Sequence, residues 1–461
     1  MLLVSIMFYL ALTVGIGYWA SRRVKTTGDF MLAGRSLPIM LSSAALFATW
    51  FGSETVFGAS AEFLEGGLYS VIEDPFGAAL CLVLFGLFFA RKLYNMNLLT
   101  LGDFFKQRFG HRTELVASIF LAPPYVGYIA AQLVAMGLIL NVVAGLELWQ
   151  GVVFSSVVVT GYTFIGGMWA ISVTDFVQSI IIVTGLIVLA VVLAGEAGGV
   201  TTVLNEVNPR NFKFFPSFNI TEITAYIAAW SVLGLGSIPS QDVFQRVMSS
   251  GSVNIAVRSC FVAAVLYLTV AMLPLFISLC TKYLYGAQLG GDAQLALPNM
   301  VLMHTAMPIQ ILFFGSLLSA IMSTTSSAIL APASIFSENL VKPLMKGELT
   351  DKQLLNVTRA SILFFSCVAT VMACLRENIY ELVSESSIFS LVSLFAPLTF
   401  GLYWSRTNSA GAMASMFTGL VTWAVFKWFY EISVPGLVPA TIVSILTLIV
   451  VSLLSEKITA K

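Results

Sequence analysis

Charge is scarce in this 461-residue chain: Asp, Glu, Lys and Arg make up 10% of it, and 23 acidic side chains cancel 23 basic ones. A chain without net charge has no electrostatic hold on nucleic acid and no basic anchor for a membrane surface. Histidine is almost missing, and His111 and His304 stand alone near segment ends. The five cysteines, Cys81, Cys260, Cys280, Cys367 and Cys374, sit in or beside apolar runs without metal-ligand spacing, which makes them small packing residues. No HExxH, GxSxG or Walker-type phosphate loop occurs, so an enzymatic reading has nothing to stand on. Linkers and low-complexity stretches are lacking as well, and residues 1–461 read as a single domain.

What fills the chain is apolar: 58% of the residues are hydrophobic and the mean hydropathy is +0.92. Soluble domains are not built this way. Runs long enough to cross a bilayer as helices recur at 2–20, 37–64, 72–90, 113–143, 147–166, 172–195, 219–244, 254–283, 303–340, 354–374, 379–403, 409–430 and 436–455. That predicts thirteen transmembrane helices and no soluble domain. No basic residue precedes the first run, whereas Arg22, Arg23, Lys25 and Arg35 follow it, against a cleaved signal peptide and for an outward N-terminus. Taken alternately, the inner loops then collect most of the 23 basic residues, Arg246 and Arg258 among them, and the C-terminus lies inside. The segment 284–302 reads equally as a lid or as a connector.

Two of the runs are interrupted. Ala48-Thr49-Trp50-Phe51-Gly52-Ser53-Glu54 breaks the second, and Gly234-Leu235-Gly236-Ser237-Ile238-Pro239-Ser240-Gln241-Asp242 breaks the seventh. Broken helices five spans apart are the sequence sign of a transporter made of inverted repeats, with its site at the breaks. Gly and Pro also merely kink packed helices. The transporter reading is preferred because the spacing is the one such a repeat needs. It makes 37–195 the first repeat and 219–403 the second, with 2–20 leading and 409–455 trailing.

Polar residues inside the apolar runs supply the chemistry. Ala320, Ser323, Thr324 and Ser327 share one helix face, and Thr325 and Ser326 add two more hydroxyls. Neutral oxygens of this kind hold alkali cations, although Ser and Thr also serve helix packing. Asp175 opens the sixth run, where it either caps the helix with help from Thr174 and Gln178 or binds a cation at the depth of Ser323. Glu54 and Asp74 are carboxylates next to a break or a proline, while Glu62, Glu65 and Glu73 fall nearer the outer surface. Trp50, Tyr69, Tyr125 and Tyr128 are candidate aromatic walls, suited to a sugar ring or an organic cation.

The segments FMLAGRSLP (30–38), ATWFGSE (48–54), YTFIGGMWAISVTDFVQ (162–178), FQRVMSS (244–250) and SAIMSTTSSAIL (319–330) together resemble the sodium:solute symporter family, and the resemblance runs over the whole chain. It implies an all-helical leucine-transporter-type fold, with ten core helices in two inverted repeats and three peripheral ones. It further implies symport of a small organic solute with one or two sodium ions across the cell's inner (plasma) membrane, with no obligatory protein partner. A first sodium would take Ala48, Phe51, Ala320, Ser323 and Thr324. A second would take Asp175, Ser323, Thr324, Ser326 and Ser327. The solute site collects Trp50, Ser53, Glu54, Asp74, Ala78, Tyr128, Gln132, Ser240, Gln241 and Asp242. The motifs GLYSVIEDPFGAALCLVLFGLFFARK and GSIPSQDVFQRVMSS are most similar to the choline-transporter branch, but Ala78 and Ser240 stand where that branch carries aromatics. Asp74 and Asp242, by contrast, add acidity that the branch does not show at those positions, so the expected solute is cationic or zwitterionic, choline-like or amino-acid-like. A neutral or anionic solute is the alternative, and so is a solute sensor on the same fold. The short stretch after the last apolar run speaks against the sensor.

Overall fold

The computed structural model of the protein describes residues 2–286, 293–345, 349–376, 378–429 and 434–459. All regular structure among them is helical, and extended backbone pairs only in one isolated parallel bridge between Leu37 and Ser250. Among the described residues, nine helices are long and apolar enough to cross a bilayer, and the bent pair Ile220–Gly236 and Gln241–Met248, angled at 48°, makes a tenth if it is one span. Met7–Ser21 and Leu148–Gly161 are shorter apolar helices. Every apolar run of the sequence carries helix, but the breaks split some runs and join others, so length and composition count fewer spans than the thirteen expected. Of the 284–302 segment, 287–292 lies outside the described residues, and Ala293–His304 is helical.

The first break divides Ile39–Phe47 from the helical stretch that resumes at Glu54. Unwinding in an apolar interior frees carbonyls that must find other donors. They find them on neighbouring helices. The Thr324 hydroxyl donates to the Ala48 carbonyl at 3.1 Å and the Tyr128 hydroxyl to that of Thr49 at 3.0 Å. Tyr267 and Thr55 both donate to the Trp50 carbonyl, each at 3.3 Å. Gly52 lets these helices come close, because a Cβ there would lie 2.7 Å from Gln132 Oε1 and 2.9 Å from Thr324 Oγ1.

The second break falls at Ser237–Ser240, where Pro239 can donate no backbone hydrogen bond. Within Leu148–Glu196 the backbone leaves helical geometry at Gly167, φ 54° and ψ −160°, and this 49-residue stretch is two helices. Any Cβ at Gly167 would stand 2.6 Å from the Phe30 carbonyl, and the left-handed φ independently favours glycine.

Met307–Ile335 is the central helix. It packs against Leu148–Glu196 and Pro123–Ala144, and it is buried continuously from Phe313 to Ile335. Ser409–Phe429 and Leu437–Thr459 pair as a separate hairpin at the periphery. The two broken elements are tied to each other at one end. Leu37 N–H donates to the Ser249 carbonyl at 3.0 Å, Gly251 N–H to the Leu37 carbonyl at 2.9 Å, and the Ser250 hydroxyl to that of Ser42 at 3.1 Å.

Candidate ion and solute site

Both breaks and the central helix converge on one polar region. Within the hydroxyl run 323–327 of Met307–Ile335, two side chains reach beyond their own helix. Thr324 Oγ1 lies 3.1 Å from both the Ala48 and Ala320 carbonyls, while Ser323 donates a short hydrogen bond to Asp175 Oδ1. Phe51 and Ala320 border the same small void of about 10 Å³. Ser326 and Ser327 instead donate back to the carbonyls of Ser323 and Thr324, both at 2.9 Å, in the usual manner of hydroxyls in apolar helices. The donor set beside the first break is thus neutral carbonyl and hydroxyl oxygen with one carboxylate alongside. That is the ligand chemistry of a hard monovalent cation. Among the described residues, no group of three or more His, Cys, Asp or Glu side chains is placed to hold a metal ion together.

Asp175 is no helix cap. It lies eight residues beyond Gly167, fully buried, and its Oδ2 accepts from Arg246 Nη2 at 3.2 Å. This corrects the sequence reading of Arg246 as a cytoplasmic loop charge. The guanidinium is 1% exposed on Gln241–Met248, directly after the second break, and its burial is compensated by the carboxylate it meets. Gln178, one turn on from Asp175, is buried with neither amide atom partnered.

Beside this lies a cavity of about 40 Å³, room for about three waters at roughly 10–15 Å³ each. Trp50, Tyr125 and Tyr128 wall it on one side, and Ser240 and Asp242 of the second break on the other. The Tyr125 hydroxyl and the Val243 N–H donate to Asp242 Oδ1 at 2.8 and 2.9 Å, and Asp242 Oδ2 has no hydrogen-bond partner among the described residues. No Lys, Arg or His lines the cavity. Glu54 stands behind Tyr128, accepting from the Tyr128 hydroxyl at 3.0 Å and from Gln132 Nε2 at 2.8 Å. Gln132 Oε1 takes the Ser53 N–H at 3.0 Å, and these residues form one network under the cavity floor.

Six of the ten expected solute residues do not line the cavity: Glu54 and Gln132 in the network just described, and four more. Ala78 is buried on a neighbouring helix, and Gln241 turns away to accept the Leu101 N–H at 2.7 Å. Ser53 is buried with its hydroxyl unpartnered. Asp74 accepts from Tyr267 at 2.7 Å on the far side of Trp50. Tyr69 is also removed from the cavity, donating to the Glu222 carbonyl at 3.0 Å and stacking on Tyr226. Conversely, Ser386, Ser387 and Ser390 line the cavity although the sequence reading passed over them. The signal was the serine-rich ELVSESSIFSLVS, whose hydroxyls resemble those of the central helix.

The model of the sodium:solute symporter family matches residues 30–419. The chain belongs to this family. Being a symporter, it is a multi-pass membrane transporter of a small solute and not an enzyme, and its family implies the use of sodium. Its relatives include the human high affinity choline transporter 1, 28% identical over 91% of this symporter and 75% of that protein. The Torpedo marmorata choline transporter is 30% identical over the same shares. The Bacillus subtilis high-affinity proline transporter PutP is 29% identical over 96% of this symporter and 95% of its own length. Among solved structures, a Na+-coupled sialic acid symporter in a substrate-bound outward-open state superposes with a TM-score of 0.86 at 19% identity, covering 98% of both chains. The nucleobase-cation-symport-1 family transporter Mhp1 gives 0.52 at 17%, covering 92% and 94%. The fold is therefore the one these two transporters share.

Proposed function

We propose that this protein imports a small organic cation or zwitterion, choline-like or amino-acid-like, together with one or two sodium ions across the plasma (inner) membrane. The observation that carries the reading is Asp242: a carboxylate oxygen without a protein partner, at a cavity with three aromatic walls and no basic lining residue. A cationic headgroup would satisfy that oxygen and gain from the indole and phenol faces. The kinship with choline and proline transporters points the same way. Among the described residues, no base lines the cavity, and Asp175 holds Arg246 after the second break, which leaves a bare anion without a counter-charge.

In this reading the chain has thirteen transmembrane helices, an outer N-terminus and two inverted repeats. Sodium enters from outside at Ala48, Phe51, Ala320, Ser323 and Thr324, and fixes the first break in the form that accepts solute. A second ion would use Asp175 and Ser323, with Ser326 and Ser327 turning from their own helix to join it. Rocking of the broken elements and their following helices then opens the site to the cytoplasm. Coupling requires that sodium raise solute affinity and that solute raise sodium affinity by the same factor.

The test is thermal stabilisation of the purified protein by quaternary amines, amino acids, sugars and carboxylates, each in sodium and in potassium. A quaternary amine or zwitterion that stabilises only in sodium is the expected result. Stabilisation by sugars or carboxylates alone would overturn the assignment of solute class. Ser323→Ala removes one hydroxyl from the site and is expected to weaken sodium activation about tenfold, the worth of one hydrogen bond to a charged group. Wild-type activation in that variant would take Ser323 out of the ion site.

A further inference from the structure

The region beyond Trp50 contains a second polar cluster that the solute cavity does not reach. Asp74 is 1% exposed and sits in extended backbone before Pro75, as residues preceding proline prefer. Its Oδ1 accepts from the Tyr267 hydroxyl at 2.7 Å. That hydroxyl also lies 2.7 Å from Thr55 Oγ1, and both reach the Trp50 carbonyl at 3.3 Å. Four oxygens from three separate elements therefore meet at the C-terminal side of the first break. Asp74 Oδ2 is buried with no hydrogen-bond partner at all.

Burial makes that orphan oxygen costly, and no neighbouring cation offsets the cost. Glu54 and Glu73 both lie close enough to repel Asp74, and among the described residues none of the three forms an ion pair with Lys, Arg or His. Glu54 is satisfied by Tyr128 and Gln132, and Glu73 by the Ser384 hydroxyl at 3.0 Å. Of these three carboxylates, only Asp74 has an oxygen that is buried with neither a donor nor a counter-charge among the described residues. A carboxylate in such a place calls for a cation, and one carboxylate with a carbonyl and two hydroxyls is a hard-cation ligand set.

We propose that Asp74, the Trp50 carbonyl, Thr55 and Tyr267 form a binding site for a sodium ion, distinct from the oxygens around Ser323, Thr324 and Asp175. It rests on the reading of the chain as a sodium-coupled symporter, and it moves Asp74 from the solute site to the ion sites. Because Trp50 contributes its side chain to the cavity and its carbonyl to this cluster, an ion here would stiffen the cavity's aromatic wall from behind.

Radioactive sodium binding to the purified chain in lipid nanodiscs, without solute, tests it in the wild type and in Asp74→Asn, Thr55→Val and Ser323→Ala. Asp74→Asn is expected to bind about one sodium fewer per chain while keeping the Ser323-dependent component. Thr55→Val keeps the carboxylate and should weaken the Asp74-dependent component about tenfold, leaving the Ser323-dependent one unchanged; it also decides the matter if Asp74→Asn does not fold. Sodium binding in Asp74→Asn and Thr55→Val equal to wild type in amount and affinity would overturn this site alone. A wild type that binds no sodium would overturn the symport reading, and this site with it.

Discussion

Arg246→Ala is expected to destabilise the protein in sodium-free potassium buffer by about 3–5 kcal/mol, the usual cost of stripping a buried charge of its partner. The reason is geometric. Asp175 is fully buried, its Oδ2 receives the guanidinium at 3.2 Å, and its other oxygen has only the Ser323 hydroxyl. With the guanidinium gone, a carboxylate remains in an apolar interior with one hydroxyl donor. Two further results should follow. Asp175→Asn combined with Arg246→Ala should recover much of the loss, because removing both charges costs far less than removing one. Sodium should stabilise Arg246→Ala more than wild type, since an ion can then occupy the charge position that the arginine contests. Thermal unfolding in sodium and in potassium measures all three. A wild-type melting temperature for Arg246→Ala in potassium would show that the pair contributes nothing, and would remove the arginine from any account of ion binding.

The second large effect concerns Asp242→Asn. The substitution keeps shape and leaves an acceptor for Tyr125, whose hydroxyl meets Oδ1 at 2.8 Å, but it removes the charge facing the cavity. Loss of one partner in a buried charge interaction costs about 2–5 kcal/mol, so the affinity for a cationic or zwitterionic solute should fall about a hundredfold. Sodium binding without solute should hardly change, because Asp242 touches none of the oxygens around Thr324. Sodium titration and solute titration of the same preparation separate the two effects. An unchanged solute affinity would mean that the cation's counter-charge lies elsewhere, with Glu54 the next carboxylate to replace.

How far the sequence foretold this site depends on the kind of signal each residue gave. The breaks were legible because Gly, Ser, Pro and carboxylates interrupting an apolar run have few structural uses. The neighbourhood of Asp175 and Ser323 was legible because both are polar at matched depth. Arg246 was misread: an arginine in FQRVMSS between two apolar runs carries the same signal as a cytoplasmic loop charge, and only the fold shows that Gln241–Met248 turns inward. Tyr267 gave no signal, since a tyrosine within an apolar helix is ordinarily packing, and its role arises from two carbonyl and carboxylate partners distant in sequence. The number of spans was harder still. Apolar length alone does not say whether 37–64 is one crossing or two half-helices, whereas the gap left between 147–166 and 172–195 does mark the turn at Gly167.

The backbone pairing between Leu37 and Ser249–Gly251 acquires a mechanical meaning from its position. It yokes the start of one discontinuous helix to the end of the other, so that neither can swing without dragging its counterpart. Two half-helices that could have been independent hinges become the arms of a single lever. A push delivered by an ion at the Thr324 end would then arrive, through main-chain bonds and not through loose side chains, at the segment that carries Asp242.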